Sequence, residues 1–315
     1  MFVLSCPTAH ASSGKIALTF DDLPALTVLR DQSYVDQLNR KLIRGLKRHH
    51  LPTTGFVNEG KLGELDRQRQ SAVLEEWLDN GFDLGNHTYS HESPNILGAK
   101  AYIEDIIRGE PVLRALLEKQ HKTLRWFRHP YLETGSPEEV KAQIDTWLAQ
   151  HGYRVAPVTI DASDWEFAEP YDAAVARRDG GERRRIRQEY LDYTARMIAW
   201  YRKSARALFG RDISYVLLLH ATRLNADSIA AIAAILRHAN LRAVSLDEAL
   251  EDPAYRTIDP YSGRDGIEWL ERWSLTLHKD LPWDDFIDPP ADIKMAYDRI
   301  DNDQPANMAH APHGR

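Results

Sequence analysis

The segment KIALTFDD, residues 15–22, sets the pattern from which the rest of the chain can be interpreted. Its first five residues have the apolar character of a buried β-strand, and two adjacent carboxylates, Asp21 and Asp22, follow closely. From there to about residue 250, short apolar runs alternate with amphipathic stretches of helical periodicity. This alternation predicts βαβ units and a parallel sheet, either open or closed into a barrel. In both arrangements ligands bind beyond the carboxyl ends of the strands.

The alternating pattern gives a set of predicted elements and boundaries. The predicted strands cover residues 15–19, 53–57, 82–84, 123–127, 153–160, 214–219 and 242–244. The predicted helices cover residues 34–49, 71–80, 99–120, 137–150, 184–209, 227–239 and 246–251. Residues 14–252 therefore form the predicted α/β domain, with an insertion around 166–210 whose first part, 166–184, lacks apolar periodicity. Residues 253–300 are expected to pack on this domain as a C-terminal extension, and residues 301–315 to be disordered.

Composition excludes several classes of protein. The chain has 40 Lys and Arg against 47 Asp and Glu, a formal net charge of −7, and so lacks the basic character of a nucleic-acid-binding protein. Its apolar runs, such as residues 215–219, are far shorter than the ~20 residues that cross a bilayer. The one cysteine, Cys6, excludes an internal disulfide and a thiolate metal cluster.

Residues 1–13, MFVLSCPTAHASS, bear on the cellular compartment. Ala9-His10-Ala11 before Ser12 has the small-x-small form of a signal-peptidase site, and an apolar stretch precedes it. No basic region comes before that stretch, and the stretch is short. We expect the protein to be exported to the periplasm or the cell exterior, with a frayed N-terminus in a cytoplasmic protein as the alternative.

Ionisable side chains follow five of the predicted strands. They are Asp21, Asp22, His87, His91, Arg128, Asp164 and His220. The spacing of His87 and His91 would bring both imidazoles to one face of a helical turn, as in other zinc sites. One aspartate and two histidines also form the open-faced triad of non-haem iron oxygenases, so this set alone fixes neither the metal nor the reaction.

Five motifs between residues 19 and 220 occur in the order found in one enzyme family. They are Thr19-Phe20-Asp21-Asp22, His87-Thr88-x-x-His91, Arg128-x-Pro130-Tyr131, Asp161-x-x-Asp164-Trp165 and Leu218-Leu219-His220. In these motifs the chain resembles the polysaccharide deacetylases of the NodB-homology group, carbohydrate esterase family 4. The resemblance implies an α/β fold in which the strands form a distorted (β/α), TIM-like barrel.

The resemblance also implies a metal and a set of residue roles. Asp22, His87 and His91 would hold one divalent metal ion, with zinc expected and cobalt, nickel or manganese as alternatives. Asp21 would be the general base, in contact with Arg128. His220 would be the general acid, and Asp164 the carboxylate that orients it. The backbone N–H of Tyr131 would stabilise the oxyanion. Pro130, Trp165 and Leu218 would line the substrate groove.

The implied chemistry is physically coherent. Three protein ligands leave a zinc coordination position for water, whose pKa falls to around 7. An amine leaves poorly unless it is protonated, so a histidinium such as His220 is needed as the proton donor. The iron-oxygenase alternative gives no role to Asp21, Arg128 or His220.

The expected function is removal of N-acetyl groups from amino sugars of a peptidoglycan-like or chitin-like polymer or oligomer. An O-acetyl esterase acting on a polysaccharide and a non-catalytic carbohydrate-binding protein on the same scaffold are the alternatives. The expected partner is an acetylated glycan, with no nucleic acid and no transmembrane segment; the oligomeric state is not predicted. The chain departs from the family pattern at Leu23, where glycine is usual, and in the long stretch between Asp164 and His220, so the substrate is less defined than the mechanism.

Overall fold

A computed structural model describes residues 14–300 of the protein. The expected export signal in residues 1–13 and the expected disordered tail in residues 301–315 lie outside the described residues. Eight parallel strands form one curled sheet. They are β1 (Gly14–Leu23), β2 (Thr53–Val57), β3 (Asp83–Asn86), β4 (Trp126–Phe127), β5 (Arg154–Val155), β6 (Ile160–Asp161), β7 (Tyr215–His220) and β8 (Leu241–Val244). The predicted parallel α/β architecture is confirmed.

The strand order explains why the barrel is distorted. The strands lie in the order β5-β4-β3-β2-β1-β7-β6. The eighth strand, β8, pairs with Gly14–Ala17 of β1, on the same side of β1 as β2, which pairs with the later residues of β1. In the described part of the chain, β5 and β6 are edge strands with no ladder between them, so the barrel is open there. β1 lies at the centre because its apolar side chains, Ile16, Leu18 and Phe20, are buried on a sheet covered on both faces.

Eleven α-helices are present among the described residues. They are α1 (Gln32–Arg48), α2 (Arg67–Asp79), α3 (Pro94–Arg108), α4 (Pro111–Lys119), α5 (Glu138–Gln150), α6 (Asp164–Ala176), α7 (Gly180–Phe209), α8 (Arg223–His238), α9 (Leu246–Ala249), α10 (Trp269–Leu277) and α11 (Ala291–Asp298). Short 3₁₀ turns lie at Glu59–Gly63, Pro130–Leu132, Pro253–Arg256 and Trp283–Asp285. Within residues 14–300, no helix has both the length and the hydrophobicity needed to cross a membrane.

Proline explains two errors in the predicted elements. The helix predicted over residues 99–120 is two helices, α3 and α4, because Pro111 cannot continue α3 and instead begins α4. The strand predicted over residues 153–160 is two short strands, β5 and β6, separated by a segment that contains Pro157. The strand predicted over residues 123–127 is reduced to the two residues of β4.

The stretch 166–184, which lacks apolar periodicity and was not predicted to be helical, is almost entirely helical. α6 covers its first part, and α7 begins at Gly180, where the Asp179 side chain accepts a hydrogen bond from the Glu182 backbone N–H. The apolar periodicity of α6 is weak because the helix is buried on most sides, and even its polar residues Glu169 and Asp172 are almost fully buried. A helix surrounded by protein lacks the one-sided pattern on which the prediction relied.

Residues 253–300 lie against the open side of the barrel. The Trp269 backbone N–H donates a hydrogen bond of 2.8 Å to the Val158 carbonyl oxygen, which lies between β5 and β6. Trp269 and Trp273 are buried, whereas Trp283 is 46% exposed and contacts the ring of Trp200. Aromatic side chains of this segment therefore pack against the barrel.

Candidate active site

Adjacent carboxylates occupy the carboxyl end of β1. Asp22 has a φ of 65°, and the pairing of β1 with β2 shifts register between Phe20 and Leu23. This turn in the backbone sends the two side chains to different neighbours. Asp21 is paired in register with His220 at the end of β7, so both lie at the same edge of the sheet.

The three predicted metal ligands lie together. The Oδ1 atom of Asp22 is 3.4 Å from Nε2 of His91 and 3.7 Å from Nε2 of His87. One ligand atom from each residue lies within 4.8 Å of the other two. Although buried, Oδ1 of Asp22 has no hydrogen-bond partner among the described residues. A buried, unpaired carboxylate oxygen facing two imidazole nitrogens fits a divalent metal ion.

Protonation also suits a metal. Burial alone would raise the pKa of Asp22, but the Lys61 ammonium, 3.3 Å from Oδ2, and nearby imidazoles hold that pKa well below its usual range. Burial lowers the pKa of His91 to about 4 and holds the pKa of His87 well below its usual value. The site therefore offers an anionic carboxylate and two neutral imidazoles, the forms that bind metals.

The two histidines are not on a helix, contrary to the sequence prediction. They lie in the loop after β3, where Thr88 and His91 have φ values of 66° and 60°. The Thr88 hydroxyl accepts a hydrogen bond of 3.0 Å from the His91 backbone N–H, and His87 Nδ1 lies 2.8 Å from the carbonyl oxygen of Arg128. This last contact fixes the ring so that Nε2 faces Asp22.

Asp21 forms a buried ion pair with Arg128. One guanidinium nitrogen of Arg128 is 3.0 Å from Oδ2 of Asp21, and the other nitrogens donate to the Thr19 hydroxyl and the Ala156 carbonyl oxygen. The guanidinium also lies over the Phe56 ring. Burial raises the pKa of Asp21 to about 6, although the charge of Arg128 opposes the increase. Asp21 is therefore ionised at neutral pH and can still accept a proton.

His220 forms a second pair with Asp164. Its Nδ1 is 2.8 Å from Oδ1 of Asp164, and its backbone N–H donates to the other carboxylate oxygen. The Asn225 amide donates to Asp164, and the Tyr190 hydroxyl donates to Asn225. Burial opposes a charge on the imidazole, but Asp164 outweighs it and raises the pKa of His220 to about 9. His220 therefore carries a proton at neutral pH.

The remaining predicted residues are distributed around these groups. Tyr131 has a φ of 56°, is 36% exposed, and its ring centroid is 4.5 Å from that of His91. Trp165 packs against Tyr297 of α11, with ring centroids 5.0 Å apart. Pro130 and Leu218 are buried, and Leu218 is paired with Asp161 between β7 and β6.

Leu23, which departs from the family pattern, is fully buried in the core. Its methyl groups lie 3.0 Å from the position that a Cβ on Gly55 would occupy. The leucine side chain therefore fills the space above a glycine of the neighbouring strand.

Sequence reasoning missed several residues that support the site. They are Phe56 beside Arg128, Asn225 and Tyr190 behind Asp164, and Lys61 beside Asp22; Thr19 stood in a quoted motif, but its contact with Arg128 was not predicted. Asn225 had a usable signal, because it is three residues after Thr222, which caps α8 directly beyond the His220 strand. The others contact the site only through the folding of distant segments.

Comparison with known proteins finds similarity to one family over the first half of the chain. Residues 9–156 match the family model named "Polysaccharide deacetylase". Over this segment the chain is similar to the polysaccharide deacetylases. It is 28% identical over 163 residues to a peptidoglycan-N-acetylglucosamine deacetylase of Bacillus cereus, an alignment that covers 50% of each chain. The chain thus spans about half the length of this curated relative.

Solved structures of the deacetylase family share the fold. A chitin deacetylase from the fungus Colletotrichum lindemuthianum is 21% identical, with a TM-score of 0.53 over 77% of this chain and 89% of its own. A family 4 carbohydrate esterase from Streptomyces lividans, in complex with acetate, is 21% identical, with a TM-score of 0.50 over 76% of this chain and 97% of its own. At such identities the likeness establishes the fold alone, and it confirms the predicted distorted (β/α) barrel.

Proposed function

We propose that this protein is a metal-dependent hydrolase that removes N-acetyl groups from amino sugars of a polysaccharide or oligosaccharide. One observation carries the proposal. Asp21, paired with Arg128, and His220, paired with Asp164, lie in register at one edge of the sheet, beside the carboxylate of Asp22 and the imidazoles of His87 and His91. A divalent cation held by Asp22, His87 and His91, with zinc as the proposed metal, would supply Lewis acidity at this site.

Asp21 is the proposed general base. Its carboxylate accepts the proton of the water that attacks the acetamide carbonyl carbon. The Arg128 ion pair fixes the orientation of this carboxylate, since Arg128 is itself held by Thr19 and Ala156. With a pKa near 6, Asp21 is ionised at neutral pH but remains basic enough to take the proton.

His220 is the proposed general acid. As the carbon–nitrogen bond breaks, its imidazolium gives a proton to the leaving amine, so the products are acetate and a free amino sugar. The Tyr131 backbone N–H is proposed to stabilise the negative charge on the carbonyl oxygen. A raised pKa at His220 favours an amide substrate over an ester, because an amine needs protonation to leave whereas an alcohol needs it less.

The substrate class and compartment follow as proposals. A peptidoglycan-like or chitin-like polymer is supported by the described activity of the bacterial relative and by the fungal neighbour that shares the fold. Such polymers lie outside the cytoplasm, which supports export. N-terminal sequencing of the mature protein from the producing cells tests export directly.

Acetate release from N-acetylated chito-oligomers tests the activity. We expect release that a chelator abolishes and added zinc restores, with zinc content measured by elemental analysis on the same samples. Release from acetylated xylan but not from amino sugars would instead identify an O-acetyl esterase. Tight glycan binding without acetate release from either substrate would identify a carbohydrate-binding protein.

A further inference from the structure

The C-terminal extension touches the turn that carries Tyr131. Gly266, an exposed residue before α10, lies so close to this turn that a Cβ added to it would be 1.6 Å from the Tyr131 carbonyl oxygen. Two residues earlier, the Arg264 carbonyl oxygen accepts a hydrogen bond of 2.8 Å from the Asn95 side chain. The same Asn95 amide donates to Glu133, just beyond the turn. The extension therefore lies directly against residues 131–133.

Arg272 is the strongest link between the extension and this turn. It is fully buried, and one of its guanidinium nitrogens donates to the Leu132 carbonyl oxygen at 2.6 Å. Another donates to the Thr134 hydroxyl at 3.0 Å and to Asp259 at 3.1 Å. The third, Nε, donates to the Ile267 carbonyl oxygen at 2.9 Å. The buried guanidinium of Arg272 thus connects the turn, on one side, to the C-terminal extension, on the other.

The turn needs such support because its backbone is strained. Tyr131 and Leu132 have φ values of 56° and 57°, two consecutive residues other than glycine in the left-handed region. That conformation is unfavourable for residues with a Cβ and persists only where the surroundings hold it. Two backbone hydrogen bonds lie within the turn, from the Leu132 N–H to the His129 carbonyl oxygen and from the Glu133 N–H to the Pro130 carbonyl oxygen, both of 3.1 Å.

We propose that Arg272 is a positioning residue for deacetylation, and that the C-terminal extension is a working part of the active site. Arg272 and Gly266 fix the turn so that the Tyr131 backbone and ring are held beside His91. A donor that stabilises a developing charge is effective only if it is held in place before the reaction. The inference rests on the proposed function, and it involves residues outside the matched segment 9–156.

Two variants disturb the turn by independent routes. Arg272→Met removes the hydrogen bonds to Leu132 and Thr134 while keeping an unbranched buried side chain. Gly266→Ala keeps Arg272 but places a methyl carbon 1.6 Å from the Tyr131 carbonyl oxygen, so the exposed segment and the turn must move apart.

Matched controls are available elsewhere in the chain. Arg202→Met removes an arginine that likewise bonds a carboxylate, Asp212, and a backbone carbonyl, that of Ala239. Gly181→Ala adds a methyl group whose nearest neighbour, an oxygen of Asp179, is at an ordinary 3.4 Å. Neither control touches the turn.

The measurement is the kinetics of acetate release from an N-acetylated chito-oligomer by the zinc-loaded full chain. We expect kcat to fall by about tenfold or more in both turn variants, with KM changed less than about threefold and zinc affinity unchanged, since an interaction of the transition state is lost. A merely structural role would lower the melting temperature, zinc affinity and kcat together. If the wild type is active and both turn variants keep kcat within about twofold of the controls, the inference is wrong and the proposed function stands; an inactive wild type overturns both.

Discussion

Asp21 and Asp22 are neighbours of identical chemistry with opposite surroundings. Asp21 faces Arg128 and is buried deeply enough for its pKa to rise to about 6. Asp22 faces Lys61 and two imidazoles, which hold its pKa far lower, and one of its oxygens has no hydrogen-bond partner among the described residues. The surroundings therefore suit the first aspartate to accept a proton and the second to bind a metal.

Asp21→Asn separates these two functions. The amide cannot take a proton from water, so kcat for acetate release should fall by about 10²–10⁴-fold. Zinc content should stay at one ion per chain, because the proposed ligands are intact. His87→Ala is the matched control and should lose zinc as well as activity. A near-normal rate for Asp21→Asn would contradict its role as the base.

Asp164→Asn should change the pH dependence of the reaction. A general acid must be protonated, so kcat should fall as the pH rises through the pKa of His220, about 9. Without the Asp164 charge the imidazolium is less stable, and this alkaline limb should move to lower pH by about one unit or more. The measurement is kcat against pH between 6 and 10.

The control for this experiment is Asp172→Asn, which removes another buried carboxylate that does not contact His220. Its alkaline limb should coincide with that of the wild type. If the limb of Asp164→Asn coincides with it too, Asp164 does not set the protonation of His220.

These residues differ in how far the sequence reveals them. Asp21, Arg128 and His220 each follow an apolar run, so strand ends and motif order were enough to select them. The contacts of Arg128 with Thr19 and Ala156 cross from one strand to another, and no local pattern records them. The spacing of a motif can thus indicate which side chain donates or accepts a proton, whereas the pKa of that side chain depends on how it is packed.

At the scale of elements, the loop holding His87 and His91 shows where periodicity misleads. A spacing of four residues suggested one helical turn, but Asn86 accepts a hydrogen bond from the Thr88 backbone N–H and bends the chain instead. The end of α3 supports the bend, because Asp105 accepts hydrogen bonds from the backbone of Tyr89 and Ser90. Two histidines four residues apart can bring their imidazoles together on a helix or in a loop. Only tertiary contacts distinguish the two cases.

Gly109→Ala tests whether the end of α3 positions the proposed metal ligands His87 and His91. A Cβ at Gly109 would lie 2.9 Å from the Thr88 carbonyl carbon and 3.0 Å from Asn86 Oδ1, so the histidine loop must shift. Overpacking of this kind costs about 1–3 kcal/mol. We expect zinc affinity, measured by competition with a chelator, to weaken by about tenfold or more.

Gly181→Ala is again the control, since the nearest neighbour of its added methyl group lies at an ordinary contact distance of 3.4 Å. Zinc affinity equal in Gly109→Ala and Gly181→Ala would show that the loop holds its shape without α3.

At the scale of the whole molecule, the barrel and the extension differ in how predictable they are. The barrel strands follow one another along the chain with regular apolar runs, so their parallel direction could be predicted, although seven strands were predicted and eight are formed. The extension contacts the barrel at residues far away in sequence, as where Arg272 bonds Leu132 and Trp269 bonds Val158. The composition of the extension predicted that it packs on the barrel. The place where it packs depends on the gap between β5 and β6, and no local sequence pattern indicates that gap.

Asp172 joins three parts of the molecule and should make stability depend on pH. This α6 carboxylate accepts hydrogen bonds from Thr27, after β1, and from Tyr34 in α1. Burial raises the pKa of Asp172 from 3.8 to about 6 despite these bonds. A raised folded-state pKa means that the group's stabilising contribution is full below pH 4 and is lost as the pH rises through about 6.

Asp172→Asn should remove this dependence, because an amide does not ionise. Relative to the wild type, the free energy of unfolding of the variant should therefore increase by up to about 3 kcal/mol between pH 4 and pH 7. Thermal unfolding of both proteins at each pH measures the difference. Asp145→Asn, which alters a side chain 42% exposed, is the control and should show little change. A stability difference for Asp172→Asn that is the same at both pH values would mean that the buried carboxylate carries no penalty for its charge.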